Sequence, residues 1–308
     1  MLFRNLQIFR FTKALSLTAE HLESRLADEK FIPCGSQQSA SYGWVEPLGK
    51  LGQMLTHTTN GRIMICARKE ERILPASVIR DNVEFQAEQI EADQGRRVFP
   101  SEKRRLKDEA MQTLLPKAFT KNQLTFAYID LDMQLLVVDA SNHRRAEELT
   151  ILLRQTLGSL PVIPPIVKQS PAAVMSHWLL KSSLPDEILA GSQCELRDIS
   201  DSTTLLRCKG IDLSREELLS YIDTGMQVIK LELEWKDRCQ FVVKEDLSIN
   251  RLRFTDIIKE PMKDLDKDDI AGRFDADFAI MGGEIAELLP LIFEAFGGID
   301  QAITADVK

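Results

Sequence analysis

Between Arg96 and Lys121 the chain carries eight cations, Arg96, Arg97, Lys103, Arg104, Arg105, Lys107, Lys117 and Lys121, against three acids, Glu102, Asp108 and Glu109. That segment is +5 (8 − 3) inside a chain of net charge −8. The chemistry available to such a run is phosphate binding, because each Lys or Arg that neutralises a phosphate releases condensed counterion. The run closes on Leu115-Pro116-Lys117-Ala118-Phe119, where an aromatic ring stands beside cations. Rings next to cations suit nucleic acid through stacking, and they equally suit a helix end packed on a neighbour. The bland alternative for the whole run is a solvated helix face. Lys209 and Lys230, on or beside predicted strands further along, complete the candidate DNA-binding set.

Two carboxylate patterns could instead seed a metal-dependent DNA exonuclease. Asp275-Ala-Asp277 sets two acids close together, and Glu232-x-Glu234-x-Lys236 holds a Glu-x-Lys pair on a predicted strand. Acids of this kind can hold a divalent cation at a scissile phosphate while a nearby base or cation steers water. In a chain with 47 acids such short motifs arise by chance. A helix start for Asp275 and a solvated strand face for Lys236 are the better explanations. The four histidines (21, 57, 143, 177) have no HExxH spacing, and no Walker, dinucleotide or GxSxG motif occurs. No catalytic residue, metal or cofactor is therefore expected.

The elements that must position these residues can be read from periodicity. Leu2–Phe11 alternates as a strand, and Ser16–Glu20 offers capping chemistry for a helix running to about Glu29. Glycines 35, 43, 49, 52 and 61 predict a loop-rich run around Trp44, and 62–68 reads as a mostly buried strand. Ile79, Val83, Ala87 and Ile90 predict a helix from about Pro75 to Asp93. Ser101 is placed to cap a second helix carrying Leu106, Ala110, Met111 and Leu114 on one face. Lys103, Arg104 and Lys107 fall on the opposite face, so the pair reads as a hairpin with an exposed basic end. Strands at 123–130 and 134–139 and a helix at 144–157 follow, and Gly158 with the prolines at 161, 164, 165 and 171 marks a boundary. The last third predicts a helix near 174–180, a hairpin over 195–208 and a helix at 214–223 opened by Ser214 with Glu217. Strands at 227–235, 239–244 and 249–254 come next. From Asp256 to Glu287 ten acids oppose Lys259, Lys263, Lys267 and Arg273, a net of −6 (4 − 10) on a predicted helical stretch.

Composition fits an ordinary globular protein: 308 residues, 44% apolar and 28% charged, enough for about two domains. No stretch approaches the ~20 apolar residues of a bilayer span, and the alternating N-terminus lacks a signal-peptide h-region. No membrane association is expected. The five scattered cysteines (34, 66, 194, 208, 239) form no CxxC pair and read as reduced thiols in a cytoplasm.

Six runs in order along the chain carry a resemblance. They are Phe31-x-Pro33-Cys-Gly-Ser-Gln37, Gly43-Trp44-Val45, Ile65-Cys-Ala-Arg-Lys-Glu-Glu71, Leu114-Leu-Pro-Lys-Ala-Phe119, Leu157-Gly-Ser-Leu-Pro-Val162 and Arg273-Phe-Asp-Ala-Asp-Phe278. Together they resemble the bacterial recombination-associated RdgC family over nearly the whole length. The resemblance implies an α+β protein of the cytoplasm and nucleoid that forms a ring-shaped homodimer. Such a ring encircles double- and single-stranded DNA with little sequence preference and restrains RecA-mediated recombination. It further implies a centre domain (1–74 and 119–165), a projecting helical tip (75–118) and an α+β base domain (166–308). Subunits would meet tip to tip and base to base.

Overall fold

The computed structural model describes residues 2–263, 266 and 268–301. The first half builds one antiparallel sheet from β1 (Gln7–Phe11), β2 (Ala40–Val45), β3 (Thr56–Thr59), β4 (Arg62–Arg72), β5 (Thr120–Asp130), β6 (Leu135–Val138) and β7 (Val162–Ile163). Its order is β2-β4-β5-β6-β1-β7, with β3 sharing an edge of β4 with β2. Both faces are covered, which is why 62–68 reads as an unbroken apolar run. On one face, Ile63, Ile65 and Trp44 pack with Leu22 and Leu26 of α1 (Ala19–Asp28) and Leu149 and Leu153 of α4 (His143–Leu157). On the other, Met64, Tyr128 and Val137 join a second apolar cluster. Single residues alternate between the two clusters as strand geometry requires.

Between β4 and β5 the chain leaves the sheet as a helical hairpin, α2 (Ala76–Gln94) and α3 (Pro100–Leu114). Among the described residues its buried side chains are Ala87, Val98, Leu106 and Ala110, with Val83 and Ile90 packed beside them. The strands that carry it lose burial toward the hairpin: β5 is exposed over its first three residues and buried at its far end. Gly95 closes α2 with φ +63°, a left-handed position that glycine takes without steric cost.

The second sheet comprises β8 (Ile188–Asp198), β9 (Leu205–Lys209), β10 (Met226–Trp235), β11 (Cys239–Lys244) and β12 (Ile249–Phe254) in the order β12-β11-β10-β8-β9. Leu231, Leu233, Phe241 and Val243 face inward against Met175 and Trp178 of α5 (Pro171–Lys181) and Leu218 of α6 (Glu216–Asp223). After α7 (Asp256–Lys263), the long helix α8 (Ile270–Ala295) sends Phe278, Met281 and Ile285 into a cluster that also holds Met64 and Tyr128 of the first sheet. One continuous core therefore joins the two sheets. The molecule is mixed α and β, with two antiparallel sheets and eight α-helices among the described residues.

Several expectations need correction. Within the glycine-punctuated run, Ala40–Val45 around Trp44 is strand β2: a Cβ on Gly43 would sit 2.6 Å from the Phe31 Cα, so glycine at that position permits backbone contact rather than a turn. The first strand begins at Gln7, not Leu2, because the half-buried Asp139 carboxylate accepts from the amides of Arg4 (3.2 Å) and Asn5 (3.0 Å). Ser101 lies inside α3. The cap falls at Phe99, whose amide donates to Glu102 at 2.9 Å. Ser214 does not cap α6, since its hydroxyl is bonded to Asp212 at 2.7 Å. Pro171 begins α5 rather than lying in a linker. Of the acidic segment, residues 264, 265 and 267 lie outside the described residues, as do 302–308 of the expected base domain.

Candidate nucleic-acid interface

The hairpin sorts its cations by what they already hold. Arg96 forms a two-point pair with Glu102 (2.9 and 2.8 Å) and lies over the Phe99 ring, 5.6 Å from its centroid. The Arg96 hydrogen bond, followed by the Phe99 amide, brings the Glu102 carboxyl down to about 2. Arg105 pairs with Glu109 at 3.4 Å. Arg97, Lys103, Arg104 and Lys107 are exposed and make no ion pair among the described residues. Arg96 thus braces the turn between the helices, Arg105 is paired along α3, and the other four leave their charge to solvent. Exposed Val78, Phe85 and Phe99 put apolar surface on the same hairpin.

At the hairpin's foot, Arg72 gathers three carbonyls, those of Leu115 (3.2 Å), Pro116 (3.4 Å) and Ala118 (3.2 Å), and adds Gly35 at 3.3 Å. This buttress fixes the turn that presents Lys117 and Phe119. The Phe119 backbone is held, its carbonyl accepting from Ile73 at 2.7 Å, yet its side chain is 86% exposed. The ring is therefore not packed on a neighbour, which removes one of the two roles its position allowed. Lys117 is exposed, and Lys121 is exposed opposite Glu71 in the β4–β5 register.

A second basic surface lies at the seam of the two sheets. The outer face of β8–β12 forms a groove of about 440 Å³ lined by Arg207, Lys209, Lys230, Lys244 and Arg251, with Glu195 as its single acid. It shares Asn5 and Arg251 with a neighbouring concavity of about 620 Å³ that contains Arg4 and Arg253. Together the two are lined by seven cations and one acid. Strand alternation produces this: Leu231, Leu233 and Val243 go into the core, so Lys230 and Lys244, facing each other in register, go out. Asn5 seals the seam by accepting from Asn250 Nδ2 (3.0 Å) and the Arg251 amide (3.3 Å). Partial burial opposes ionisation of Glu195, but the Lys230 ammonium (3.0 Å) and the Arg207 guanidinium (3.2 Å) outweigh it and hold the carboxyl below the usual range. Lys230 is thereby partly spent, whereas Arg207 remains largely exposed. Of this surface the sequence reading named Lys209 and Lys230 and missed Arg4, Arg207, Lys244, Arg251 and Arg253. Outward parity on 249–254 and on the 195–208 hairpin was the signal that could have found them.

The candidate nuclease carboxylates have other partners. Asp275 accepts from Thr59 (2.5 Å) and contacts His57 Nε2 at 3.0 Å. It lies in the second turn of α8, whose cap is Asp269, so it is not a helix start. Two residues apart on a helix, Asp275 and Asp277 point to different sides. Glu234 accepts from Gln240, and Lys236 pairs with Glu187 at 2.5 Å. Among the described residues, no group of three or more His, Cys, Asp or Glu side chains could hold a metal ion. Trp235 and Phe278 are buried in the core. No helix among the described residues is long and apolar enough to cross a membrane.

Comparison with known proteins gives one consistent result. Residues 1–299 match the family described as "Putative exonuclease, RdgC". A Recombination-associated protein RdgC from Psychromonas ingrahamii is 44% identical over 298 residues, covering 97% of this chain and 99% of the relative. Proteins of the same name from Aeromonas hydrophila (43%, covering 98% of this chain and all of the relative) and Proteus mirabilis (42%, covering 96% and 98%) are similar throughout.

Proposed function

The chain belongs to the RdgC family, and we propose from that premise that it is a non-catalytic DNA-binding protein acting as a ring-shaped homodimer. In this reading the ring encircles double- or single-stranded DNA with little sequence preference and restrains RecA-mediated strand exchange. Residues 1–74 and 119–165 form the centre, 75–118 the tip and 166–308 the base. The nucleoid is its place of work. The observation that carries the reading is the seam groove, seven cations against one acid on a chain of net charge −8. Local field, not net charge, decides where a polyanion binds. The unpaired cations of α3 extend the same chemistry to the tip.

Sequence tolerance follows from the kinds of cation present. Lysines and arginines dispersed over strands and loops favour phosphate oxygens, which position a duplex without reading it. A two-fold homodimer whose tips and bases each meet isologously closes without leaving an open assembling surface. Binding rather than cleavage is favoured because the carboxylates a nuclease would use are bonded to His57, Thr59 and Gln240.

The test is incubation of end-labelled linear DNA with the purified protein and magnesium or manganese, followed by native and denaturing electrophoresis. Retarded but full-length DNA is the expected outcome, with RecA strand exchange slowed in parallel. Shortened strands that disappear on chelation of the metal would replace this reading with a nuclease.

A further inference from the structure

The five cysteines are not equally placed. Cys66 stands opposite Val45 and Phe126 in its sheet, and Cys239 opposite Trp235 and Phe254. Cys34 donates its thiol to the Glu70 carbonyl at 3.2 Å. Cys194 of β8 and Cys208 of β9, by contrast, are direct partners in an antiparallel register. The Gly210 amide donates to the Ser192 carbonyl at 2.8 Å, and Asp198 to Thr204 at 3.1 Å. Counting in twos from either end makes Cys194–Cys208 a hydrogen-bonded pair, for which Cα atoms lie about 5.5 Å apart. Disulfides span Cα separations of about 4.4–6.8 Å. The two thiols are close enough to interact. Burial, reinforced by the neighbouring Cys208 thiol, pushes Cys194 up to about 12.

We propose that Cys194 and Cys208 are a reversible disulfide-forming site that ties the edge strand β9 to β8. Their access is unequal: Cys194 is 5% exposed, whereas Cys208 is half-buried on the outermost strand of its sheet. Cys208 is thus the thiol that meets the oxidant, and Cys194 resolves it. With hydrogen peroxide, the Cys208 thiolate attacks one oxygen. The O–O bond breaks, an S–O bond forms, and the departing hydroxide takes up the Cys208 proton as water. Cys194 sulfur then attacks Cys208 sulfur, and the S–O bond breaks. The leaving hydroxide takes the Cys194 proton as a second water. Two electrons pass from the thiols to the peroxide, and a dithiol reductant returns them. β9 also carries Arg207 and Lys209 of the groove, so the bond would fix the strand that presents those cations.

The test uses the full chain, reduced, freed of reductant and treated with about equimolar hydrogen peroxide. Free thiols, counted after unfolding, fall from five to three (5 − 2), and peptide mapping links Cys194 to Cys208. Amide exchange over Leu205–Lys209 slows and recovers with dithiothreitol. Cys34→Ser leaves the linkage intact, and Cys208→Ser abolishes it. Sulfinic acid on Cys208 beside an untouched Cys194 thiol would overturn the proposal. So would links through Cys34, chains joined to one another, or β9 exchange that oxidation does not change.

Discussion

Phe119 separates two physical roles at a single residue. An 86% exposed ring holds little buried area, so Phe119→Ala should leave the melting temperature unchanged. A packed ring would instead cost ~3–5 kcal/mol on truncation. If the ring stacks on a base, the substitution weakens DNA binding by about 1–3 kcal/mol. Thermal melting and DNA titration on the same preparation check both halves. Lys209 offers the complementary case, a phosphate-seeking cation with no ion pair among the described residues. Lys209→Glu should weaken binding uniformly across sequences and lower the salt slope by about 1, read from titrations at several ionic strengths. These residues differed in how visible they were. The tip cations stand out because they are neighbours in the chain. Those of the groove come from positions as distant as Arg4, Arg207 and Arg253, and only strand pairing brings them to one surface.

At the scale of elements, the α2–α3 hairpin depends on its turn more than on its core. Four buried residues, two of them alanines, make a thin core for two helices, and Glu102 adds to it by bonding Arg96 and the Phe99 amide together. Its carboxyl sits at about 2 instead of the ordinary 4.5. The folded value is depressed, so the contribution is complete above about pH 4.5 and is lost as pH falls toward about 2. Glu102→Gln should mimic the acid end of that window at neutral pH. Trypsin should then cut faster at Arg96 and Arg97, with the rest of the chain as resistant as before. The same elements show where pattern reading works. β10, β11 and β12 largely alternate because one face is core and the other is not, with register shifts in β10 and β12, and their sequence-based bounds agree with the structure to within a residue. β2 escaped notice because Gly43, which usually signals a turn, serves there to let the Phe31 backbone approach. Nor does alternation show that β1 must start late, since that depends on Asp139, more than 130 residues away.

For the whole molecule, the acidic balance and the basic surfaces answer different questions. Net charge bears on solubility, while the field over the groove and hairpin bears on the proposed DNA binding. If on the order of six phosphates are neutralised per dimer, affinity should fall about a thousandfold between 50 and 200 mM salt. A flat response would remove phosphate contact as the basis of binding. If the chain forms the proposed closed dimer, how it admits DNA depends on which contact is weaker, and the hairpin charges bear on that directly. Arg97, Lys103, Arg104 and Lys107 make no ion pair among the described residues, so two hairpins brought end to end repel, whatever Val78, Phe85 and Phe99 contribute to their contact. The base contact should therefore hold the pair while the tips part. Arg97→Glu with Arg104→Glu should leave a dimer in sedimentation while lowering DNA affinity and RecA inhibition together. Monomers would show instead that the tips hold the pair. A covalent tip-to-tip crosslink should block loading on closed circular DNA yet allow threading onto linear ends, because only the first route needs the ring to open. Equal loading of the crosslinked protein on both substrates would rule out the tip as the gate.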